Sequence, residues 1–264
     1  MYTPAVQLWI ASPKDFSDAD WQDFGELLDP QEQARADGLR RAADRQAYIL
    51  AHALRRIALA EELNVRPSSL VFASEPGGRP LLLSPFCRRL GFSHAHTQDA
   101  VVFALSRDGQ IGVDIEAHLA ARADFGLLES LMLLPERSEA ASGPTGHAAS
   151  AQSDSEFFLY WTALEAFWKA AGTGLSSANP VVRVDQTKAG LLHMRLPDSA
   201  GEPVAPWVIP VAAPAGFSIS LAVQDPDAQV FARRITGAAL KGQGMSSRTR
   251  FLSRAGTVAR AASV

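Results

Sequence analysis

The sequence predicts an α+β fold of two similar halves joined near residue 110, because its segments run strand, helices, strands, and then helices and strands again. Short apolar runs bounded by turn residues mark the strands. Apolar residues at helical spacing mark one long helix before residue 110 and another after it. At 264 residues the chain is long enough for one large domain or two small ones, with a substantial core.

In chain order, "AVQLWIA" (Ala5–Ala11) reads as a first strand closed by Pro13. A helix start follows in "LLDPQEQARA": Asp29 caps, Pro30 opens the first turn and Glu32 completes a capping box. From Asp44 to Leu63 the apolar residues Ala47, Leu50, Ala51, Leu54, Ile57 and Ala58 recur at helical spacing, with Arg45, His52, Arg55 and Arg56 on the remaining positions. "SLVFASEPGGRPLLL" reads as strand, glycine turn, strand. "AVVFALS" and "QIGVDIEAH" read as two strands joined by a tight turn at Asp108-Gly109.

From Leu119 to Leu134 the pattern is helical, and the Ser/Ala/Gly-rich stretch Ser138–Glu156 predicts a mobile loop. "FFLYWTALEAFWKAAGTGL" is a helix ended by Gly172, and four strands follow in "PVVRVDQ", "LLHMRLP", "PWVIPVAA" and "GFSISLAVQ". The expected organisation is therefore an N-terminal half over residues 1–110, a C-terminal half over 111–231 and a basic, poorly ordered tail over 232–264.

Composition narrows the function. A net charge of -3 gives no global pull toward nucleic acid. The single cysteine, Cys87, excludes an intramolecular disulfide and a multi-cysteine zinc site. The N-terminus has no basic, apolar signal-peptide pattern, and no window approaches a membrane-spanning run. These features predict a cytoplasmic protein with neither membrane nor nucleic acid as partner.

Several stretches are candidates to carry chemistry. In "IGVDIEAH", Asp114 and Glu116 alternate with Val113 and Ile115, so a strand turns both carboxylates to one face. Neighbouring carboxylates repel unless a cation or proton lies between them, and oxygen-only ligands favour Mg²⁺; a solvated acidic face is the alternative. In "YWTALEAFWKAAGTGL", Trp161, Leu164, Trp168 and Ala171 form a core stripe, while Glu165 and Lys169 share another. That pair either stabilises the helix or divides acid–base work. In "GFSHAHTQDA", His94 and His96 share a strand face and suit metal ligation, proton transfer or anion binding, or form only a polar strand edge. Arg79 in "EPGGRP" suits phosphate or belongs simply to a hairpin turn, and the helix arginines suit phosphate or form a solvated face.

Together and in this order, "DRQAYILAHALRR", "GRP", a histidine after "FS", "GVDIE" and W-T-x-x-E-A-x-x-K-A-x-G resemble the Sfp-type 4'-phosphopantetheinyl transferases over about residues 1–228. The resemblance implies a pseudodimer of two α+β halves with the active site in the cleft between them, and hence a monomer. It implies transfer of the phosphopantetheine arm of coenzyme A to a serine of an acyl or peptidyl carrier protein, with Mg²⁺ (or Mn²⁺ in its place) and release of 3',5'-ADP. The N-terminal half would bind coenzyme A and the C-terminal half would hold the metal and the catalytic helix.

By motif, Asp114, Glu116 and Glu165 resemble the metal-binding acids, and Lys169 resembles the lysine beside the transferred phosphate. Glu165 is expected as general base. Arg79, Arg45 and Arg56 resemble coenzyme A contacts, and Arg35 is a further candidate for the 3'-phosphate. Aligned on Phe92 and Thr97, His96 falls on the family histidine, Ala95 on the family serine and His94 on a variable position, which leaves His94 incidental. A second departure is Leu164, where the family has lysine. The alternatives are a metal-dependent nucleotide phosphohydrolase and a non-catalytic family member that binds coenzyme A or a carrier protein.

Overall fold

A computed structural model describes residues 3–134, 147–197, 205–237 and 240, apart from 76, 88, 120–122, 177 and 188. Its strands are β1 (Ala5–Ala11), β2 (Val71–Ser74), β3 (Pro80–Ser84), β4 (Gly91–His96), β5 (Val101–Ser106), β6 (Gly112–Ala117), β7 (Met132–Leu133), β8 (Val182–Gln186), β9 (Leu192–Arg195), β10 (Trp207–Val211), β11 (Phe217–Val223) and β12 (Gln229–Ile235). The α-helices are α1 (Asp18–Leu27), α2 (Pro30–Asp37), α3 (Ala42–Leu63), α4 (Phe125–Leu131) and α5 (His147–Ala171). The mixed helix and sheet content is that of an α+β fold.

Two sheets dominate, ordered β12-β1-β5-β4 and β6-β11-β10-β9-β8-β7, and β2 and β3 form a separate pair. Side-chain alternation gives each main sheet two apolar faces. Trp9, Phe92, Phe103 and Leu105 of the first sheet pack under Leu50, Leu54 and Leu59 of α3. Leu8, Val102 and Ala104 on its other face meet Val113, Ile115, Ile219 and Leu221 of the second sheet. Met194, Val208 and Ala222 on the far face of the second sheet pack under Leu164 and Phe167 of α5. The order of layers is thus α3, sheet, sheet, α5.

Most expected elements are present, and the departures have local causes. The turn at Asp108-Gly109 joins β5 to β6 without pairing them, because the two strands belong to different sheets. Gly109 at φ +111 makes the bend, and Asp108 Oδ2 accepts from the Ala5 amide at 3.0 Å, which pins the turn to β1.

The helical stretch expected over Leu119–Leu134 contracts to α4. Asp124 caps its start by accepting from the Leu127 amide at 3.0 Å, and Met132–Leu133 leaves the helix to pair in parallel with β8. The loop expected over Ser138–Glu156 is helical from His147 onward, while 138–146 lies outside the described residues. Alanine is a strong helix former, and extending a packed helix costs far less than starting one.

Residues 232–235, expected in the basic tail, belong to β12, which runs to Ile235 in parallel register with β1, Ala11 opposite Ile235. Arg233 stacks over the Trp9 ring at 4.4 Å and Arg234 makes a bidentate pair with Asp15, so apolar, aromatic and ionic contacts all hold this strand. Residues 241–264 lie outside the described residues. Among the described residues no helix is long and apolar enough to cross a membrane.

Candidate active site

Strand β6 lies against α5 at a separation that only glycine permits. A Cβ on Gly112 would collide with the carbonyl oxygen of Ala166 and the amide of Ala170. With the two backbones this close, the next outward residue of β6 faces the last turns of α5. Lys169 Nζ donates to Asp114 Oδ1 at 2.6 Å and reaches the Val113 carbonyl at 3.4 Å. Val113 and Ile115 point the opposite way into the inter-sheet core, as strand alternation requires.

Asp114 is buried, and burial raises its pKa, with the Lys169 charge and hydrogen bond opposing. Its Oδ2 is enclosed without a hydrogen bond of ordinary geometry, and the Ile115 amide exerts only a small pull on the carboxylate. Glu165 is half-buried one helical turn before Lys169. Its pKa is raised by burial first and then by the Asp114 charge, with Lys169 opposing. Glu116 is the next residue on the acidic face of β6, paired in register with Ser218 of β11.

The donor set suits a hard divalent cation in its chemistry: two carboxylates in each other's field, one with an unused oxygen, and no sulfur or imidazole among them. Its present geometry is not yet a ligand shell, since among the described residues no group of three His, Cys, Asp or Glu side chains converges to hold an ion. Asp114 Oδ1 is turned to Lys169 instead.

The histidines approach this site from β4. Phe92, His94 and His96 face α3, while Ala95 is buried in the inter-sheet core. A serine at position 95 would place its hydroxyl in that apolar layer, so alanine suits the packing. His96 is the exposed end of the row. Although its edge is open to solvent, partial burial against its neighbours and then the Lys169 charge lower its pKa, with Asp44 opposing, so β4, α3 and α5 share one electrostatic environment.

His94 is in T-shaped contact with His52 of α3, ring centroids 5.3 Å apart, and His52 stacks on Tyr48 at 3.9 Å. His52 signals itself in sequence only as a polar residue four positions after Tyr48 on α3. Its pairing with β4 is a tertiary fact.

The arginines separate into different roles. Arg79 Nη1 donates to the Ala170 carbonyl at 3.3 Å while Glu75 holds its Nε at 3.2 Å, so the "GRP" turn docks on the C-terminal end of α5. Gly172, at φ +83, leaves room there, since a Cβ would stand 2.9 Å from Arg79 Nη1. Glu75 is the missed partner, and the spacing E-x-x-x-R across the glycine turn is its only signal in sequence. Arg45 is exposed and bonds the Ala36 and Leu39 carbonyls at 3.2 and 3.1 Å, closing the end of α2. Arg35 is exposed on α2, close enough for its charge to act on Tyr48.

Arg55 and Arg56 are not a solvated face: their exposures are 4% and 2%. Arg56 bonds Glu32 Oε2 at 2.9 Å, Asp29 Oδ2 at 2.7 Å and the Leu70 carbonyl at 3.1 Å, and Arg55 pairs with Glu32 Oε1. Both guanidiniums lie over the Phe72 ring. Arg56, expected at coenzyme A, ties α2 to α3 in this structure.

Residues 110–209 match the sequence profile of the 4'-phosphopantetheinyl transferase superfamily, a span that contains Asp114, Glu116, Glu165 and Lys169. A protein of Synechocystis sp. whose name assigns it provisionally to the 4'-phosphopantetheinyl transferases is 31% identical over 173 residues, covering 66% of this chain and 68% of that protein. The 4'-phosphopantetheinyl transferase HetI of Nostoc sp. is 29% identical over 177 residues, 67% and 72% of the two chains. The 4'-phosphopantetheinyl transferase psf-1 of Bacillus pumilus is 26% identical over 168 residues, 64% and 68%.

Proposed function

From the premise that this chain belongs to the 4'-phosphopantetheinyl transferase superfamily and is an enzyme of that class, we propose that it moves the phosphopantetheine arm of coenzyme A onto a serine of an acyl or peptidyl carrier protein and releases 3',5'-ADP. The observation that carries the reading is the contact of Lys169 with Asp114, with Glu165 in the same field. We place the reaction in a cleft between two α+β halves of a pseudodimer that works as a monomer in the cytoplasm.

The carrier serine hydroxyl attacks the β-phosphate of coenzyme A. A P–O bond forms to the serine, and the bond to 3',5'-ADP breaks. Positioning and charge neutralisation dominate such a transfer. Glu165, its pKa raised, accepts the serine proton directly or through a water. Lys169 balances charge on the leaving phosphate. His96 and Arg79 orient the phosphates, with Arg45 and Arg35 as outer cations. Asp114 and Glu165, with Glu116 next on the strand, would hold Mg²⁺ (or Mn²⁺), which neutralises the pyrophosphate when bound.

The test is to incubate the purified protein with coenzyme A, Mg²⁺ and an apo carrier protein and read the carrier by intact mass. A phosphopantetheine adduct is expected, and it should vanish with excess chelator. Coenzyme A cleavage without an adduct would make the protein a phosphohydrolase. Binding without turnover would make it a non-catalytic member. Full activity in chelator would remove the metal from the mechanism.

A further inference from the structure

His94 stands at the position where the family motif is variable, yet its surroundings are specific. It points from the same face of β4 as His96, two residues on. Its ring meets the His52 ring edge to face, and its Nδ1 is enclosed without a hydrogen-bond partner. An imidazole nitrogen buried in that way costs free energy unless a partner arrives.

The charged neighbours indicate the kind of partner. His52 of α3 touches the ring, and the groups whose charge also acts on it are Arg55 of α3, His96 of β4 and Lys169 of α5. Asp44 acts on His96, and Glu32 is taken up by Arg55 and Arg56. The charges acting on the ring are thus those of two cations, Arg55 and Lys169, beside two imidazoles, and among the described residues no carboxylate is paired with it.

His52 is not that partner in this structure: its ring meets His94 edge to face without a hydrogen bond to Nδ1, and its own Nδ1 is engaged with the Tyr48 carbonyl at 2.9 Å. Burial, and then His52, Arg55, His96 and Lys169, hold the His94 pKa well below that of a free imidazole. A polyanion bound beside the ring would reverse the sign of that field and favour the imidazolium.

We propose that His94 is a second anion-binding imidazole of this site, accepting a phosphate group of coenzyme A beside His96 and taking up a proton as it does so. The inference rests on the coenzyme A reading above. It replaces the view of His94 as incidental, and it gives the site a charged donor to phosphate on a strand whose position 95 carries no hydroxyl.

Calorimetric titration of the full chain with coenzyme A near neutral pH, in two buffers of contrasting ionisation enthalpy, measures affinity and proton uptake together. The wild type should take up protons on binding. His94→Leu should bind about tenfold more weakly, the loss of one hydrogen bond to a charged group, and take up fewer protons. His94→Gln should keep part of the affinity and also lose proton uptake.

Unchanged affinity and uptake in His94→Leu overturn the proposal. If His94→Leu does not fold, His94→Gln decides by its proton count, and wild-type uptake in that variant overturns the proposal equally. A wild type that binds no coenzyme A overturns the substrate reading itself, an outcome distinct from a wild type that binds while the variants bind equally well.

Discussion

Lys169 Nζ lies 2.6 Å from Asp114 Oδ1, and this contact joins helix α5 to the acidic strand β6. The lysine is the larger exposed member of the pair, with 29% of its side chain accessible against 7% for the aspartate. The carboxylate therefore carries most of the burial cost, and the ammonium relieves it. The same ammonium also acts on Glu165 and His96.

Lys169→Met should cost both rate and stability. Without the ammonium, Asp114 keeps a buried charge whose partner is gone, worth roughly 1–3 kcal/mol of stability. The transfer rate should fall about 10²–10³-fold, the scale for losing one preorganised charge at a reacting phosphate or oxyanion. Single-turnover rates with coenzyme A and an apo carrier, beside urea unfolding curves, check both. A Lys169→Met protein at the wild-type rate would remove lysine from the chemistry.

Arg56→Met should act on the fold, because Arg56 is bonded to Glu32, Asp29 and Leu70 and only 2% exposed. Breaking one side of a buried ionic network costs about 3–5 kcal/mol. The urea midpoint should drop accordingly, while the Michaelis constant for coenzyme A of the folded fraction stays close to wild type. A raised constant with unchanged stability would return Arg56 to the ligand.

The contrast between Asp114 and Arg56 shows which parts of the site are legible in sequence. Strand alternation alone separates Asp114 and Glu116 from Val113 and Ile115, and helical spacing alone separates Glu165 and Lys169 from Leu164 and Trp168. Both patterns depend on which face is covered, and apolar residues declare that face. The burial of Arg55 and Arg56 depends instead on Glu32, 23 and 24 residues earlier, and on Phe72 of a different element. No local period encodes such a contact, so charged helix positions read as solvated. The capping box of Asp29 and Glu32 is legible for the same reason that the ion network is not: one spans a helical turn, the other spans three elements. Likewise the turn at Asp108-Gly109 is readable as a bend, but that β6 then pairs with β11 rather than with β5 is a tertiary fact no local pattern carries.

His52→Gln should flatten the acid limb of stability. In the unfolded chain an imidazole takes up its proton near 6.5, whereas burial, with Arg55 opposing charge, keeps folded His52 neutral down to about 3. Between those values the unfolded state binds more protons, so stability falls as pH drops from 6.5 toward 3. The contribution is on the order of a few kcal/mol at its low-pH end. Urea midpoints across that window should decline less steeply in the variant than in the wild type. Parallel declines would show that His52 protonates in the folded state as readily as in the unfolded one.

Leu164→Lys tests whether the departure from the family motif impairs the enzyme. Leu164 is fully buried at 0% exposure, in the cluster that holds Leu128, Phe167 and Val208 beneath α5. It belongs to the same stripe as Trp168, which faces the second sheet, while Glu165 and Lys169 occupy the stripe that faces Asp114. A lysine at 164 would begin its path inside apolar packing, and its ammonium would have to be buried unpaired, be neutralised, or snorkel out past the aromatic rings. Each route costs stability, several kcal/mol for an ammonium that stays buried and charged. No route brings the new charge closer to the phosphates of the proposed substrate than Lys169, Arg79 and His96 are expected to lie. The variant should therefore unfold at lower urea than the wild type and show no gain in transfer rate beyond about twofold, a difference of less than 1 kcal/mol in the barrier. Rates with coenzyme A and an apo carrier protein, measured side by side, decide the matter. An inactive wild type restored by lysine would mean that this chain lost its activity at position 164.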